Sequence, residues 1–161
     1  MAIYEHMTPG VISVEPTATL KHAAILMSEN GVTGLAVCEA ARAGTAPQLL
    51  GEISRTDMLK VISRGYEECD VEVRPEWCDD GDTVAMLESI ETMQVQHAMR
   101  DAVPVHGHTT MAEAAQLMYP HRLNRLFVTD EVGALLGILT STDVMRVALC
   151  DEVSELDYGE L

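Results

Sequence analysis

The sequence predicts an α/β (α+β) protein built from two copies of one strand-helix-strand-strand-helix unit, and three observations carry that prediction. Residues 3–64 and 95–150 repeat one pattern in one order, and repetition at a fixed period decides the fold before any local signal does. Each copy holds an apolar stretch with paired alanines, LKHAAILM from Leu20 and MAEAAQLM from Met111. Each copy also closes on Gly-x-x-(Ser/Thr)-x-x-Asp, as Gly51, Ser54 and Asp57 and again as Gly137, Thr140 and Asp143.

Taken in order, each copy opens on a Met (Met7, Met99) and a short β-type stretch, VISV at 11–14 and VPV at 103–105. Leu20, Ala23, Ala24 and Met27 then recur at the spacing of one helical face, as do Met111, Ala114, Ala115 and Met118. Small alanines on that face allow close approach to a sheet. Thr110 with Glu113 reads as a capping box, while Asn30-Gly31 and Pro120 read as helix stops. Strands at 35–38 and 126–129 lead to strands at 49–53 and 135–139. The second connection, EVGA, suits a tight hairpin; the first is opened by AARAGTAPQ. The later strand of each copy is expected to end in a turn containing Gly51 or Gly137, with closing helices from Met58 and Val144. Units of about 55 residues are marginal alone, so packing of the two sheets together is expected.

The 161 residues divide into repeat 1 (1–64), an acidic connector (65–94), repeat 2 (95–150) and an acidic tail (151–161). Of the net charge of −16, residues 65–94 carry −9 and 150–161 carry −5, while 1–64 and 95–149 carry −1 each. Nearly neutral repeats with acidic appendages exclude nucleic acid as the expected partner. No apolar run reaches the length needed to span a bilayer, so no membrane role is expected. MAIYEHMTPG lacks a basic region followed by an apolar core, and the four cysteines form no regular framework; free thiols in the cytoplasm are expected. Within the connector, Asp82 is positioned to cap a short helix carrying Val84, Leu87 and Ile90, and Trp77 is its one large anchor. The connector is the candidate contact surface for a partner.

The Gly-x-x-(Ser/Thr)-x-x-Asp stretch has two readings. A hydroxyl followed three residues later by a carboxylate caps a helix and suits its dipole. Free amides and a hydroxyl at a helix start also hold phosphate, and a carboxylate accepts from ribose hydroxyls. The two readings are compatible. No nucleophile elbow, Walker loop or HExxH is present, so an enzyme is not expected. His106, His108 and His121, and the pair Cys69 and Cys78, lack the spacing of a metal set.

Two copies of this order closely resemble a pair of CBS domains, the tandem modules named after cystathionine β-synthase. The resemblance covers both repeats and implies two units packed through their sheets into one pseudo-two-fold module. It also implies clefts between the repeats that bind adenine-containing ligands: AMP, ADP or ATP first, NAD or S-adenosylmethionine less readily. Carried over by position, it nominates Ser54, Thr56 and Asp57 in copy one. In copy two it nominates Thr140, Thr142 and Asp143, with Val103 and Val105 against adenine. It further implies a homodimer and a separate effector protein that reads occupancy. Arg122 and Arg125 precede the LFV strand of copy two where copy one has Gly31 and Gly34, so the copy-two site is the better equipped for phosphate. The alternative is a ligand-free interaction module in which both boxes only cap helices.

Overall fold

A computed structural model describes residues 1–39, 46–68 and 90–155. The order is β1 (Thr8–Pro9), β2 (Ser13–Val14), α1 (Leu20–Glu29), β3 (Gly34–Cys38), β4 (Leu49–Ser54), α2 (Arg55–Glu68), β5 (Pro104–His106), α3 (Met111–His121), β6 (Arg125–Thr129), β7 (Leu135–Thr140) and α4 (Ser141–Glu155). Short 3-10 turns at Ile3–Glu5 and Val95–His97 precede β1 and β5. The chain is thus a mixed α/β protein with two sheets, β2-β3-β4 and β1-β7-β6-β5. The connector readings at Cys69, Trp77, Cys78, Asp82, Val84 and Leu87 lie outside the described residues, as does most of AARAGTAPQ.

The two sheets repeat each other in register. In copy one, β2 runs parallel to β3 and β3 antiparallel to β4, with Gly34 opposite Ser54. In copy two, β5 runs parallel to β6 and β6 antiparallel to β7, with Arg125 opposite Thr140. Both hairpins break register at the same place, between Val37 and Cys38 and between Val128 and Thr129. The tighter turn is built by Asp130, whose Oδ1 accepts from the backbone N–H of Val132 and Ala134, while Gly133 takes the left-handed conformation at φ 84°.

The helices form where the apolar spacing placed them. Thr19 caps α1 through His22 N, and Leu20, Ala23 and Met27 are fully buried. Thr110 and Glu113 cap α3 reciprocally, and the Thr110 N–H and hydroxyl hold the Glu113 carboxyl below its usual range. Burying a Leu or Met fully contributes about 1.5–3 kcal/mol, so Leu20 and Met27 fix α1 on its sheet more firmly than its cap does.

Three expectations need correction. Pro120 does not stop α3, which continues to His121 and ends at Arg122 (φ 52°, ψ 40°). A proline near the end of a helix forfeits only one bond of the last turn, and the left-handed residue that follows ends the helix. Both closing helices begin three residues earlier than expected, at Arg55 and Ser141, because Ser54 and Thr140 are their caps. Gly51 and Gly137 lie inside β4 and β7, not in turns.

Two compact units result, Ile12–Ala102 and Met1–Val11 with Val103–Leu161. Each repeat's leading segment therefore folds with the other repeat's hairpin. In the first unit Arg100 pairs with Glu52 through two backbone bonds of 2.9 Å. In the second, β1 pairs with β7, and Ile3 is fully buried beside Val105, Leu126 and Leu139. This crossing explains the motif glycines. A Cβ on Gly51 would come within 2.6 Å of the Arg100 carbonyl oxygen, and one on Gly137 within 2.5 Å of Met7 Sδ and 3.0 Å of the Thr8 carbonyl oxygen. Only glycine admits the added segment this closely.

Candidate functional site

Both box carboxylates are buried at a strand-to-helix junction, each 6% exposed. In copy one, Asp57 Oδ2 accepts from Ser54 N (3.0 Å) and Ser54 Oγ (2.5 Å), while Asp57 N donates back to Ser54 Oγ. In copy two, Asp143 Oδ2 accepts from Thr140 N (2.9 Å) and Thr140 Oγ1 (2.6 Å), and Asp143 N donates to Thr140 Oγ1. The capping reading of the box is therefore present in both copies. It engages Oδ2. The second oxygen faces a cation one turn on: Asp57 Oδ1 lies 3.8 Å from Lys60 Nζ, and Asp143 Oδ1 lies 3.4 Å from Arg146 Nη1. Thr56 and Thr142, in the first turns of α2 and α4, are exposed to solvent.

The surroundings of the two boxes differ. Opposite Thr140 stands Arg125, the first residue of β6; opposite Ser54 stands Gly34. Arg122 and Gly31 occupy the same left-handed position after their helices, at φ 52° and 64°, as the repeat alignment requires. Arg122 also lines a groove of about 650 Å³ between α3 and α4, with Met118, Tyr119, Asn124, Ser141 and Met145. Copy one instead carries Arg100, whose Nη2 lies 2.7 Å from Glu52 Oε1 and whose Nε lies 3.5 Å from Asp57 Oδ2. Glu52 is 4% exposed. The corresponding positions in copy two are Thr8 and Ile138, so no equivalent pair exists there.

Of the two nominated valines, Val105 is buried within the apolar cluster and Val103 is half-buried at its edge, its carbonyl accepting from Phe127 N. Sequence reasoning missed Arg100 and Glu52. The signal lay in the repeat alignment, which places a charged pair in one copy where the other has a threonine and an isoleucine. A second, polar cleft of about 460 Å³ lies at the far end of β2 and β3, where Ser13, Glu15, His22 and Cys38 line it. Burial there pushes the Cys38 thiol up to about 11, so it stays protonated and poorly nucleophilic. Among the described residues no cluster of three or more His, Cys, Asp or Glu is arranged to hold a metal. No helix among them is long and apolar enough to cross a membrane.

Two strand-helix-strand-strand-helix units, each closing on a hydroxyl–carboxylate box, define a tandem-repeat α/β module. Residues 3–64 and 94–149 each match the CBS domain, and the chain belongs to that family. The chloroplastic CBS domain-containing protein CBSX2 of Arabidopsis thaliana is 29% identical over 153 residues, 90% of this chain and 62% of that protein. The chloroplastic CBSX1 of the same plant is 30% identical over 142 residues, 84% of this chain and 58% of that one. The chain thus spans about three fifths of these curated relatives. The crystal structure of CBSX2 in complex with AMP matches with a TM-score of 0.69 at 25% identity, over 94% of this chain and 98% of that one.

Proposed function

We propose that this chain is a regulatory module, not an enzyme, that binds an adenine nucleotide or related adenosyl ligand at the copy-two box and reports occupancy to a separate effector protein. The observation that carries the reading is the cationic flank of that box. Arg125 enters β6 directly opposite Thr140, whose N–H and hydroxyl hold the buried Asp143 carboxylate. In this reading Asp143 Oδ1 accepts from ribose hydroxyls, since Oδ2 is committed to the cap. Thr140 and Thr142 lie on the phosphate side with Arg122 and Arg125, and Val103, with Val105 behind it, meets adenine. Ser54, Thr56 and Asp57 form the equivalent copy-one site. The similarity to CBSX2, crystallised with AMP, supports the ligand class.

A homodimer is part of the proposal. Leu117 and Tyr119 on α3 and Met145 and Leu149 on α4 are exposed, Tyr119 by 88%, an apolar face suited to a second copy. The proposed setting is a reducing cytoplasm. The connector is the proposed effector contact.

The competing reading, a box that only caps, fits copy one better. There Gly34 offers no charge opposite Ser54, and Arg100 already stands on Asp57. A thermal-shift panel of AMP, ADP, ATP, NAD and S-adenosylmethionine tests the proposal. A ligand at 100 times its dissociation constant adds about 2.7 kcal/mol of stability. No shift with any of the five would leave the capping reading alone.

A further inference from the structure

The oxygen assigned to ribose already has a partner. Asp143 Oδ2 is committed to the cap, and Oδ1 faces Arg146 Nη1 at 3.4 Å. Copy one repeats the arrangement: Asp57 Oδ1 faces Lys60 Nζ at 3.8 Å, with Oδ2 on the Ser54 cap. Asp143 and Arg146 stand three residues apart on α4, so helix geometry alone keeps the cation within reach. The two partners differ in burial. The Asp143 side chain is 8% exposed and that of Arg146 is 67% exposed, so the carboxylate is fixed while the guanidinium lies largely in water. An ion pair with one partner in water is weak, and the guanidinium leaves it at little cost. A ribose on Oδ1 displaces Arg146, and the displaced charge then lacks a partner. A 5′-phosphate on the same ribose supplies one; a nucleoside does not.

We propose that Arg146 is a specificity-determining residue of the copy-two box. It holds Asp143 Oδ1 in the ligand-free protein and passes to the phosphate when the ribose of a nucleotide takes that oxygen. It thereby disfavours adenosine, which displaces the guanidinium and offers it no new partner, and favours AMP, which displaces and re-engages it. Arginine suits this exchange because its planar fork matches carboxylate and phosphate alike, whereas the ammonium of Lys60 is a point charge. The inference rests on the reading of the box aspartates as ribose acceptors.

Calorimetry with adenosine and with AMP tests the exchange in a D57N background, where copy two keeps its intact box. R146M retains the aliphatic stem and removes the charge at an exposed position, and urea unfolding checks that the fold is unchanged. R146M should bind adenosine about two- to fivefold more tightly, the worth of the pair given up, and AMP more weakly. The preference for AMP over adenosine should fall by about tenfold or more, the loss of one charge-assisted bond to phosphate. R146K, which keeps the charge without the fork, serves as the second variant and should fall between R146M and the unaltered box. Adenosine unchanged with AMP weakened would make Arg146 a plain phosphate partner. Both ligands tightened alike would make it a competitor that never reaches phosphate, and both weakened alike would make it a support for the carboxylate. Each of these three results overturns the exchange and leaves the ligand reading standing. No binding of either ligand by any variant or by the unaltered protein would remove the ribose reading and this inference with it.

Discussion

Arg122→Gly separates what the fold needs from what the proposed ligand needs. Arg122 ends α3 at φ 52° and ψ 40°, a conformation that costs an L-residue about 1–2 kcal/mol. Glycine relieves this strain, and the protein uses glycine at the equivalent position, Gly31 at φ 64°. Against the relief stand a greater unfolded-state freedom of about 0.5–1 kcal/mol and the loss of a cation at a helix C-terminus, about 0.3–1 kcal/mol. These contributions nearly cancel, so the urea midpoint should move by no more than the equivalent of about 1 kcal/mol in either direction. Affinity for a phosphorylated ligand should respond differently. Losing a charge-assisted hydrogen bond costs about 1.5–3 kcal/mol, or roughly 10- to 150-fold in Kd. Calorimetry with AMP and adenosine then distinguishes the two effects, with AMP weakened and adenosine unchanged. Equal loss for both ligands, or a clear loss of stability, would show that Arg122 acts through the fold and would refute its assignment to phosphate.

Asp143→Asn should weaken a ribose-bearing ligand by about 1.5–3 kcal/mol while lowering stability by less than about 1 kcal/mol, read by calorimetry and urea unfolding. Gly51→Ala should destabilise by about 1–3 kcal/mol, because its Cβ would meet the Arg100 backbone oxygen at 2.6 Å. Gly137→Ala should cost less, since the nearest atom there is the flexible Met7 sulfur; equal losses in chemical denaturation would contradict the distinction. Cys38 is ordinarily an acid of pKa 9.0 and is raised to about 11 in the fold. The unfolded thiol ionises first, so stability is intact below pH 9, falls between 9 and 11, and that fall should disappear in Cys38→Ala. Tyr119→Lys with Leu149→Lys should shift a dimer to monomer by light scattering if the exposed α3 and α4 face joins two copies.

Periodicity made α1 and α3 legible, since their apolar residues recur at the helical interval and the structure buries Leu20, Ala23 and Met27 and Met111, Ala114 and Met118. The capping box at Thr110 was legible for the same reason: it is local, and its partners are three residues apart. The role of Gly51 and Gly137 was not. Read along the chain, a glycine before a helix suggests a turn; its actual cause is a segment some 50 or 130 residues distant in sequence, Arg100 beside Gly51 and Met7 with Thr8 beside Gly137. The same distance hid the Glu52–Arg100–Asp57 cluster. Helix starts slipped by three residues because the box hydroxyls cap helices that already include the aspartates at their third position.

The two boxes show why a local motif is a poor guide to ligand binding. Their hydrogen bonds agree within a few tenths of an ångström in the two copies, so the cap alone makes no distinction between them. What distinguishes them arrives from neighbouring segments: Arg125 beside Thr140, and Arg100 opposite Glu52, two residues before Ser54. One arginine stands opposite the hydroxyl and the other stands on the carboxylate. The first arrangement adds positive charge where a phosphate would sit; the second lies on Oδ2, the oxygen the cap already uses. The cap is made by the box residues alone, so neither arginine takes part in its hydrogen bonds. The asymmetry between the sites therefore lies in side chains outside the cap, and the shared box does not itself decide which copy is the better equipped for an anionic ligand.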